Sequence, residues 1–235
     1  MLKIAYKYLP PKRIDILENC QIRISQLNAL NDPFESLIPF SIDFDKYPKK
    51  IFEYISRQKM LENLFGNLNN LIVDNIGVIS MSRCDTNMLM WSHYALNHTG
   101  FIIGFDLTNS FFKTNIPDIN NINQVIYSSN PISTEYKEEE TIEYMFLQKP
   151  IDWAYEEEVR FIDTLNNDNK NILDKDNIPI CIRNIPKECI KEIIVGSKSN
   201  LLEKIKNINK ENSINAIISK TEIYRNSYKL IKEKI

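Results

Sequence analysis

The sequence predicts an α+β fold, in which strands and helices are mixed without the regular alternation that builds a parallel sheet flanked by helices. Two observations carry this prediction. Short runs of β-branched and aromatic residues recur between turn residues. One long stretch, residues 46–73, has the i, i+3, i+4 apolar spacing of helices. Because 235 residues can bury one large core, we expect a single domain over 1–235, with a helical insertion at about 46–73 after the second strand.

The predicted strands differ in how deeply they should be buried. Residues 2–8 form a first strand that ends at Pro10 and Pro11, and residues 21–25 alternate polar and apolar side chains, as half-buried strands do. Residues 76–82 and 100–106 are largely apolar and indicate interior strands. Shorter or weaker patterns predict further strands at 125–127, 155–162, 178–182, 190–195, 216–219 and 224–231.

Helices and turns fill the intervals between these strands. Helices are predicted at 14–17, 137–147 and 200–209, and at 85–98 with Asp85 or Thr86 as the N-cap. Residues 27–35 form a fixed turn, because Asp32 precedes a proline and is disfavoured in helical geometry. We expect Phe34 of this turn to be anchored in the core.

The formal net charge of −2 excludes a strongly basic nucleic-acid-binding protein by bulk charge. The charge is uneven, however. Residues 1–186 carry 18 basic and 25 acidic side chains, whereas residues 187–235 carry 11 basic and 6 acidic ones. Because the lysines of this tail alternate with Glu and Ile, a solvated surface is favoured over a phosphate-binding one.

Composition also argues against several kinds of site. The four cysteines form no CxxC pair, two histidines are too few to complete a zinc site, and no glycine-rich phosphate loop is present. We therefore expect no metal. No secretory leader pattern and no apolar run of about 18 residues occurs. The expectation is a reduced, cytoplasmic protein without a membrane partner.

The segment that points most directly to chemistry is 153–161. On a strand, Glu156, Glu158 and Arg160 share one face. Two carboxylates about 7 Å apart on that face can shift each other's pKa values and can stabilise a developing cation. The alternative is a solvated acidic face with Arg160 as its partner.

A second candidate segment runs from Ser80 to the paired histidines His93 and His98. Trp91 and Tyr94 offer flat surfaces for a base or a nicotinamide ring, or they pack in the core. His93 is a candidate contact, with a hydrogen-bonded structural role as the alternative. Ser80 and Ser82 are candidate ligand contacts or ordinary strand residues.

Five motifs occur here in an order that resembles a widespread, functionally uncharacterised bacterial domain family. They are Tyr6-Lys7-Tyr8, Asn31-Asp32-Pro33-Phe34-Glu35, Met90-Trp91-Ser92-His93-Tyr94 with His98-Thr99-Gly100-Phe101, Trp153-x-Tyr155-Glu156-x-Glu158-x-Arg160, and Ile193-Ile194-Val195-Gly196. The resemblance spans about residues 6–196. It implies a bacterial protein that acts as a toxin or as a phage-defence effector, but it implies no activity.

A more distant resemblance is to the ADP-ribosyltransferases, a family with a split-sheet α+β core. It is carried by Ser80-x-Ser82 and Glu156-x-Glu158 in that order, after Tyr6-Lys7-Tyr8. The resemblance implies NAD as the substrate. Relatives of the uncharacterised family usually have Arg after Tyr-Lys-Tyr, where this chain has Leu9. The basic NAD contact would then come from Lys7 or from Arg23.

The roles implied by the second resemblance can be stated residue by residue. Glu158 would stabilise the cationic ribose, and Glu156 would orient or deprotonate the acceptor, which would be a protein or a nucleic acid. The implied NAD contacts are Lys7, Tyr8, Arg23, Ser80, Ser82, Trp91, His93 and Tyr94. This arrangement requires Lys7, Ser80 and Glu158 to line one cleft.

Two other functions are compatible with the same sequence. A non-catalytic module could bind a nucleotide or a partner in the same pocket, which the missing Arg at Leu9 favours. A weaker alternative is a nucleic-acid-processing enzyme, suggested by the basic tail and the acidic cluster.

Overall fold

The computed structural model describes residues 2–35, 75–116, 119–130, 146–165, 172–224 and 226–235. The predicted helical insertion at 46–73 lies outside these residues, as does most of the predicted helix at 137–147. The described part is an α+β structure dominated by sheet, which confirms the predicted class. Its strands are β1 (Ile4–Leu9), β2 (Gln21–Gln26), β3 (Ile76–Ser82), β4 (Phe101–Asp106), β5 (Asn123–Gln124), β6 (Ile126–Ser128), β7 (Gln148–Pro150), β8 (Glu158–Thr164), β9 (Cys181–Asn184), β10 (Ile190–Val195), β11 (Ile217–Tyr224) and β12 (Lys229–Lys234).

In the part of the chain that the structure describes, three complete α-helices and several short 3-10 segments connect the strands. The helices are α1 (Asp15–Asn19), α2 (Met88–His93) and α3 (Leu202–Glu211). Helix α2 is shorter than predicted, and its N-cap is Asn87 rather than Asp85 or Thr86. The Asn87 Oδ1 accepts hydrogen bonds from the amides of Leu89 and Met90, at 2.9 and 3.1 Å. Among the described residues, no helix is long and apolar enough to cross a bilayer.

Ten strands form one sheet in the order β12-β11-β10-β4-β1-β3-β2-β9, with β8 paired to β3 and β5 paired to β8. Nearly all neighbours are antiparallel; β10 and β11 are parallel. Strands β6 and β7 form a separate parallel pair. The main core consists of apolar side chains of the central strands packed with α1 and α3, including Phe101, Phe105 and Phe161.

The sheet opens at β3. One edge of β3 pairs with β8 along its whole length, from Ile76 to Ser82. The other edge is divided, because β2 pairs with it at Gly77 and Val78 whereas β1 pairs with it only at Ser82. In the described part of the chain, no strand pairs with Ser80 on this edge. The Lys7 ammonium donates to the Ser80 carbonyl at 3.0 Å and fills part of the gap.

The strand predicted at 155–162 begins later than expected. Residues Ile151–Glu156 form a 3-10 segment, and Glu157 adopts a left-handed conformation with φ of 44°. The strand begins only at Glu158. The prediction that Glu156 and Glu158 share one strand face is therefore wrong. The prediction that Glu158 and Arg160 share one is confirmed.

The turn at 31–35 is confirmed, but the expected position of Phe34 is wrong. The Asp32 carboxylate accepts the Phe34 amide at 3.0 Å, which closes the turn locally. This geometry directs the side chains of Asp32 and Glu35 inward, where both are buried, and leaves Phe34 63% exposed.

Some lysines of the basic C-terminal tail pair with acidic residues of the body and of the tail itself. Lys232 of β12 pairs with Asp85 at 2.6 Å and with Glu192 at 3.0 Å, and Lys204 of α3 pairs with Glu18 at 2.7 Å. The uneven charge along the sequence thus reflects contacts within the molecule as well as a solvated surface.

Candidate functional site

The opening in the sheet leads into a cavity of about 210 Å³. Its walls come from β1, β3, the turn at 27–35, α2, β7 and the start of β8. Of the ten predicted site residues, seven line it: Lys7, Tyr8, Ser80, Ser82, Tyr94, Glu156 and Glu158. In particular, Lys7, Ser80 and Glu158 line one cleft, as the proposed arrangement requires.

A buried network of five charged side chains lies at one wall of this cavity, and all of them except Arg160 line it. The Lys149 ammonium contacts three carboxylates, those of Glu156, Glu158 and Glu35, at 2.6, 3.1 and 3.2 Å. The Arg160 guanidinium contacts Glu158 at 2.8 and 3.0 Å and Glu35 at 2.5 Å. All five are less than a tenth exposed. Three negative and two positive charges leave the ionised network with an excess of one negative charge.

The two glutamates of the Glu-x-Glu motif titrate in opposite directions. Burial opposes ionisation of Glu158, but the charges and hydrogen bonds of Arg160 and Lys149 outweigh it and lower its pKa to about 2. For Glu156, burial is the dominant influence and raises its pKa despite the Lys149 ammonium. Burial likewise raises the pKa of Glu35. Glu158 therefore stays ionised, whereas the neighbouring Glu156 binds a proton more readily. Enzymes use such a pair when one carboxyl group transfers a proton and the other stabilises charge.

Glu156 reaches this wall by a different route from Glu158. It ends the 3-10 segment, and the left-handed Glu157 turns the chain between the two. The Tyr94 hydroxyl donates a short hydrogen bond to one Glu156 oxygen, and Lys149 holds the other. Both glutamates contact the Lys149 ammonium, at 2.6 and 3.1 Å, so the two contacting oxygens are at most roughly 6 Å apart. Two carboxyl groups that hold a water between them are farther apart, at ~6.5–9.5 Å.

Lys7 supplies a second, differently placed cation. Burial lowers the pKa of its ammonium to about 8, with a further contribution from the charge of Arg13. Its hydrogen bond goes to the neutral Ser80 carbonyl, and within the described residues it forms no ion pair. Lys7 can therefore be approached by an anionic ligand group.

Two of the predicted contacts lie away from the cavity. Arg23 pairs with Asp174 at 2.8 Å. Trp91 is fully buried and donates its indole N–H to the Asp85 carbonyl at 2.9 Å, while its rings pack against Tyr8 and His98. The packing alternative for Trp91 is the one observed, and neither Arg23 nor Trp91 lines the cavity.

His93 faces a second, shallower space, which we call the outer groove. This groove has a volume of about 300 Å³ and is lined by Asn31, His93, Tyr94, Asp152, Trp153 and Tyr155. Asn31 and Tyr94 line both spaces and so form their common boundary. The His93 Nδ1 shares a hydrogen bond of 3.0 Å with the Tyr155 hydroxyl, which is the structural role considered for it.

Sequence reasoning missed the residue at the centre of the network. Lys149 is one of many lysines, and nothing in its neighbours Gln148 and Pro150 distinguishes it. Glu35 could have been found, since it belongs to the Asn31-Asp32-Pro33-Phe34-Glu35 motif of the fixed turn. Within the described ranges, no group of three or more His, Cys, Asp or Glu side chains is arranged to hold a metal ion, and the four cysteines are free thiols.

The comparisons with known proteins give one match. Residues 90–161 match the model of a family described as a protein of unknown function (DUF2971). The matched region runs from α2 through the Glu-x-Glu segment to β8, and so includes Tyr94, Lys149, Glu156, Glu158 and Arg160. A search of curated proteins and a search of solved structures each found no match.

Proposed function

We propose that the protein is an enzyme of the ADP-ribosyltransferase class that breaks the glycosidic bond of NAD at the cavity beside β3. The observation that carries this proposal is the pair of glutamates with opposite pKa shifts on one wall, facing the same space as Lys7, Ser80 and Ser82. The opening of the sheet at β3 is consistent with a split-sheet core.

The chemistry follows from where charge develops. The bond between the ribose C1′ and nicotinamide breaks, and its electron pair leaves with the nicotinamide. The ribose then carries positive charge, which the Glu158 carboxylate stabilises while accepting a hydrogen bond from the 2′-hydroxyl. A lone pair of the acceptor forms the new bond to C1′, and the acceptor proton passes to Glu156. The raised pKa of Glu156 makes it a stronger base than an ordinary carboxylate.

The size of the cavity limits what enters it. At about 210 Å³ it is smaller than the ~300–1,000 Å³ typical of sites that enclose a whole ligand. We therefore assign it to the nicotinamide riboside end of the substrate. The pyrophosphate would lie towards Lys7, which forms no ion pair within the described residues and donates only to the Ser80 carbonyl.

The test is release of nicotinamide from NAD, measured by chromatography for the wild-type protein, Glu158→Gln and Glu156→Gln. Removing a group that stabilises transition-state charge costs about 10²–10³-fold in rate, and we expect a loss of this size in Glu158→Gln. Removing a general base costs about 10²–10⁴-fold, which is the loss expected in Glu156→Gln. Glu157→Gln is the matched control, because Glu157 lies between them but pairs with Arg83 at the surface. Equal turnover by Glu158→Gln and the wild type would contradict the proposal.

A second candidate function is a non-catalytic nucleotide-sensing module. It is favoured by the state of Glu158, whose two oxygens are already engaged by Arg160 and Lys149. It is also favoured by Leu9, which stands where relatives have Arg and is buried in the core. Calorimetric binding of NAD without product formation would support this function over catalysis. Failure to bind any nucleotide would contradict both.

A further inference from the structure

We propose that the outer groove is a binding site for an alkylated ammonium group, such as a trimethylammonium head. The inference stands apart from the proposed enzymatic function, because it concerns a different space and needs no NAD. It rests on the aromatic side chains that line the groove, on the charge of that lining and on the exposed apolar side chains that neighbour it along the chain.

The walls are aromatic rings held in fixed relative positions. The rings of His93 and Tyr155 lie 5.6 Å apart at 75°, and those of Trp153 and Tyr155 lie 6.1 Å apart at 38°. Tyr94 meets His93 at 6.4 Å, also edge-on. At these distances the rings contact one another directly and hold one another in place, and all four side chains line the same groove. A cation in the groove is attracted by the ring faces that these contacts leave open.

The charges around the groove also favour a cation. Asp152 lines it and is exposed, and its described lining includes no Lys or Arg. The Lys149 ammonium lies 5.0 Å from the centre of the Trp153 ring, but it contacts three carboxylates, which outweigh its positive charge. An anionic ligand would meet Asp152 and would find no opposing positive charge in this lining.

The chain next to the lining residues carries exposed apolar side chains. Leu89 is half-exposed and lies one helical turn before His93 on α2, and Ile151 directly precedes Asp152 and is also half-exposed. Methyl groups on nitrogen are weakly hydrated and bury favourably against apolar and aromatic side chains. Aromatic sites of this composition bind quaternary ammonium ligands. The group could be free, as in choline, or carried on a methylated lysine side chain.

The test compares choline with 3,3-dimethylbutan-1-ol, which has the same shape without the charge. Binding is followed by tryptophan fluorescence and by calorimetry, both without NAD. Trp91 is fully buried, so a fluorescence change reports mainly on Trp153. We expect choline to bind roughly tenfold or more tightly than the neutral alcohol, a difference in the range of desolvated cation–π contacts. Equal affinities, or no choline binding up to about 100 mM, would overturn the proposal, since that range is weaker than any specific site.

Single substitutions test whether choline binds in the outer groove rather than elsewhere on the surface. Tyr155→Leu removes one wall and should weaken choline binding about tenfold, whereas Tyr155→Phe keeps the ring and should retain most of it. Asp152→Asn removes an exposed charge without disturbing packing and should weaken binding severalfold. Tyr228→Leu is the control, because Tyr228 is 90% exposed and lies outside the groove. Loss of binding in Tyr228→Leu, or full binding in both Tyr155→Leu and Asp152→Asn, would contradict the assignment. A trimethyl-lysine peptide and its unmethylated form then distinguish a side-chain ligand from a free one.

Discussion

Replacing Lys149 with Met tests whether the buried network stabilises the fold through charge. The side chain keeps most of its volume, but three carboxylates lose the ammonium they contact at 2.6, 3.1 and 3.2 Å. Removing one partner from a buried ion pair typically costs about 3–5 kcal/mol, because the remaining charge is left uncompensated. With Arg160 as the one remaining cation, the ionised network would carry two excess negative charges.

The expected loss depends on pH, and its sign follows from the carboxyl groups. The pKa values of Glu35 and Glu156 are already raised by burial, and loss of Lys149 raises them further. A carboxyl group with a raised folded-state pKa destabilises the fold increasingly as pH rises from its unfolded value through its folded value. The variant should therefore lose about 3–5 kcal/mol near pH 8 and clearly less near pH 5.

Urea unfolding monitored by tryptophan fluorescence, at several pH values between 5 and 8, measures this directly. Lys175→Met is the control, since Lys175 is almost fully exposed and its pairing with Asp176 is at 3.7 Å; a change within about 0.5 kcal/mol is expected. The double variant Lys149→Met/Glu156→Gln should recover part of the loss. A Lys149→Met loss that is the same at pH 5 and pH 8, or below about 1 kcal/mol throughout, would refute the reasoning.

Three further predictions follow from local contacts. Because Arg160 and Lys149 hold the Glu158 pKa at about 2, wild-type stability should fall by about 3 kcal/mol as pH drops from 4.5 towards 2, and acid-unfolding curves of Glu158→Gln should lack this slope. Asn87→Ala removes the cap of α2 and a hydrogen bond to the Tyr155 carbonyl, and should cost about 1–2 kcal/mol in urea unfolding. Gly100→Ala would place a Cβ 2.0 Å from a carbonyl oxygen of β1 and should cost more than about 3 kcal/mol. Its control, Gly104→Ala, meets its nearest atom at 3.2 Å and should cost less; equal losses would contradict the steric explanation.

The elements with strong local patterns were predictable. The apolar runs at 76–82 and 100–106 are the central strands β3 and β4, with ends shifted by at most one residue. The fixed turn around Asp32 was also predictable, because an Asx turn and a following proline act within a few residues. The position of Phe34 was not, since the direction in which a turn presents its side chains depends on what packs against it.

In the site, too, some features could be predicted from the local sequence and others depended on packing. The sequence identified Glu156 and Glu158 as a pair, but for the wrong geometric reason, since a left-handed residue separates them. It also left Trp91 open between core and pocket, and only its complete burial decides for the core.

The sequence by itself determined the α+β class, most of the strands, and the carboxylates, serines and aromatic residues that face the cavity. Only the tertiary structure decided that Lys149 and Glu35 join them and that Arg23 does not. These contacts link positions more than a hundred residues apart, as Lys149 and Glu35 are. The tertiary structure also decided that the pKa of Glu156 is raised and that of Glu158 is lowered. A pKa shift depends on burial and on charges within a few ångströms, and neither quantity is encoded by local periodicity.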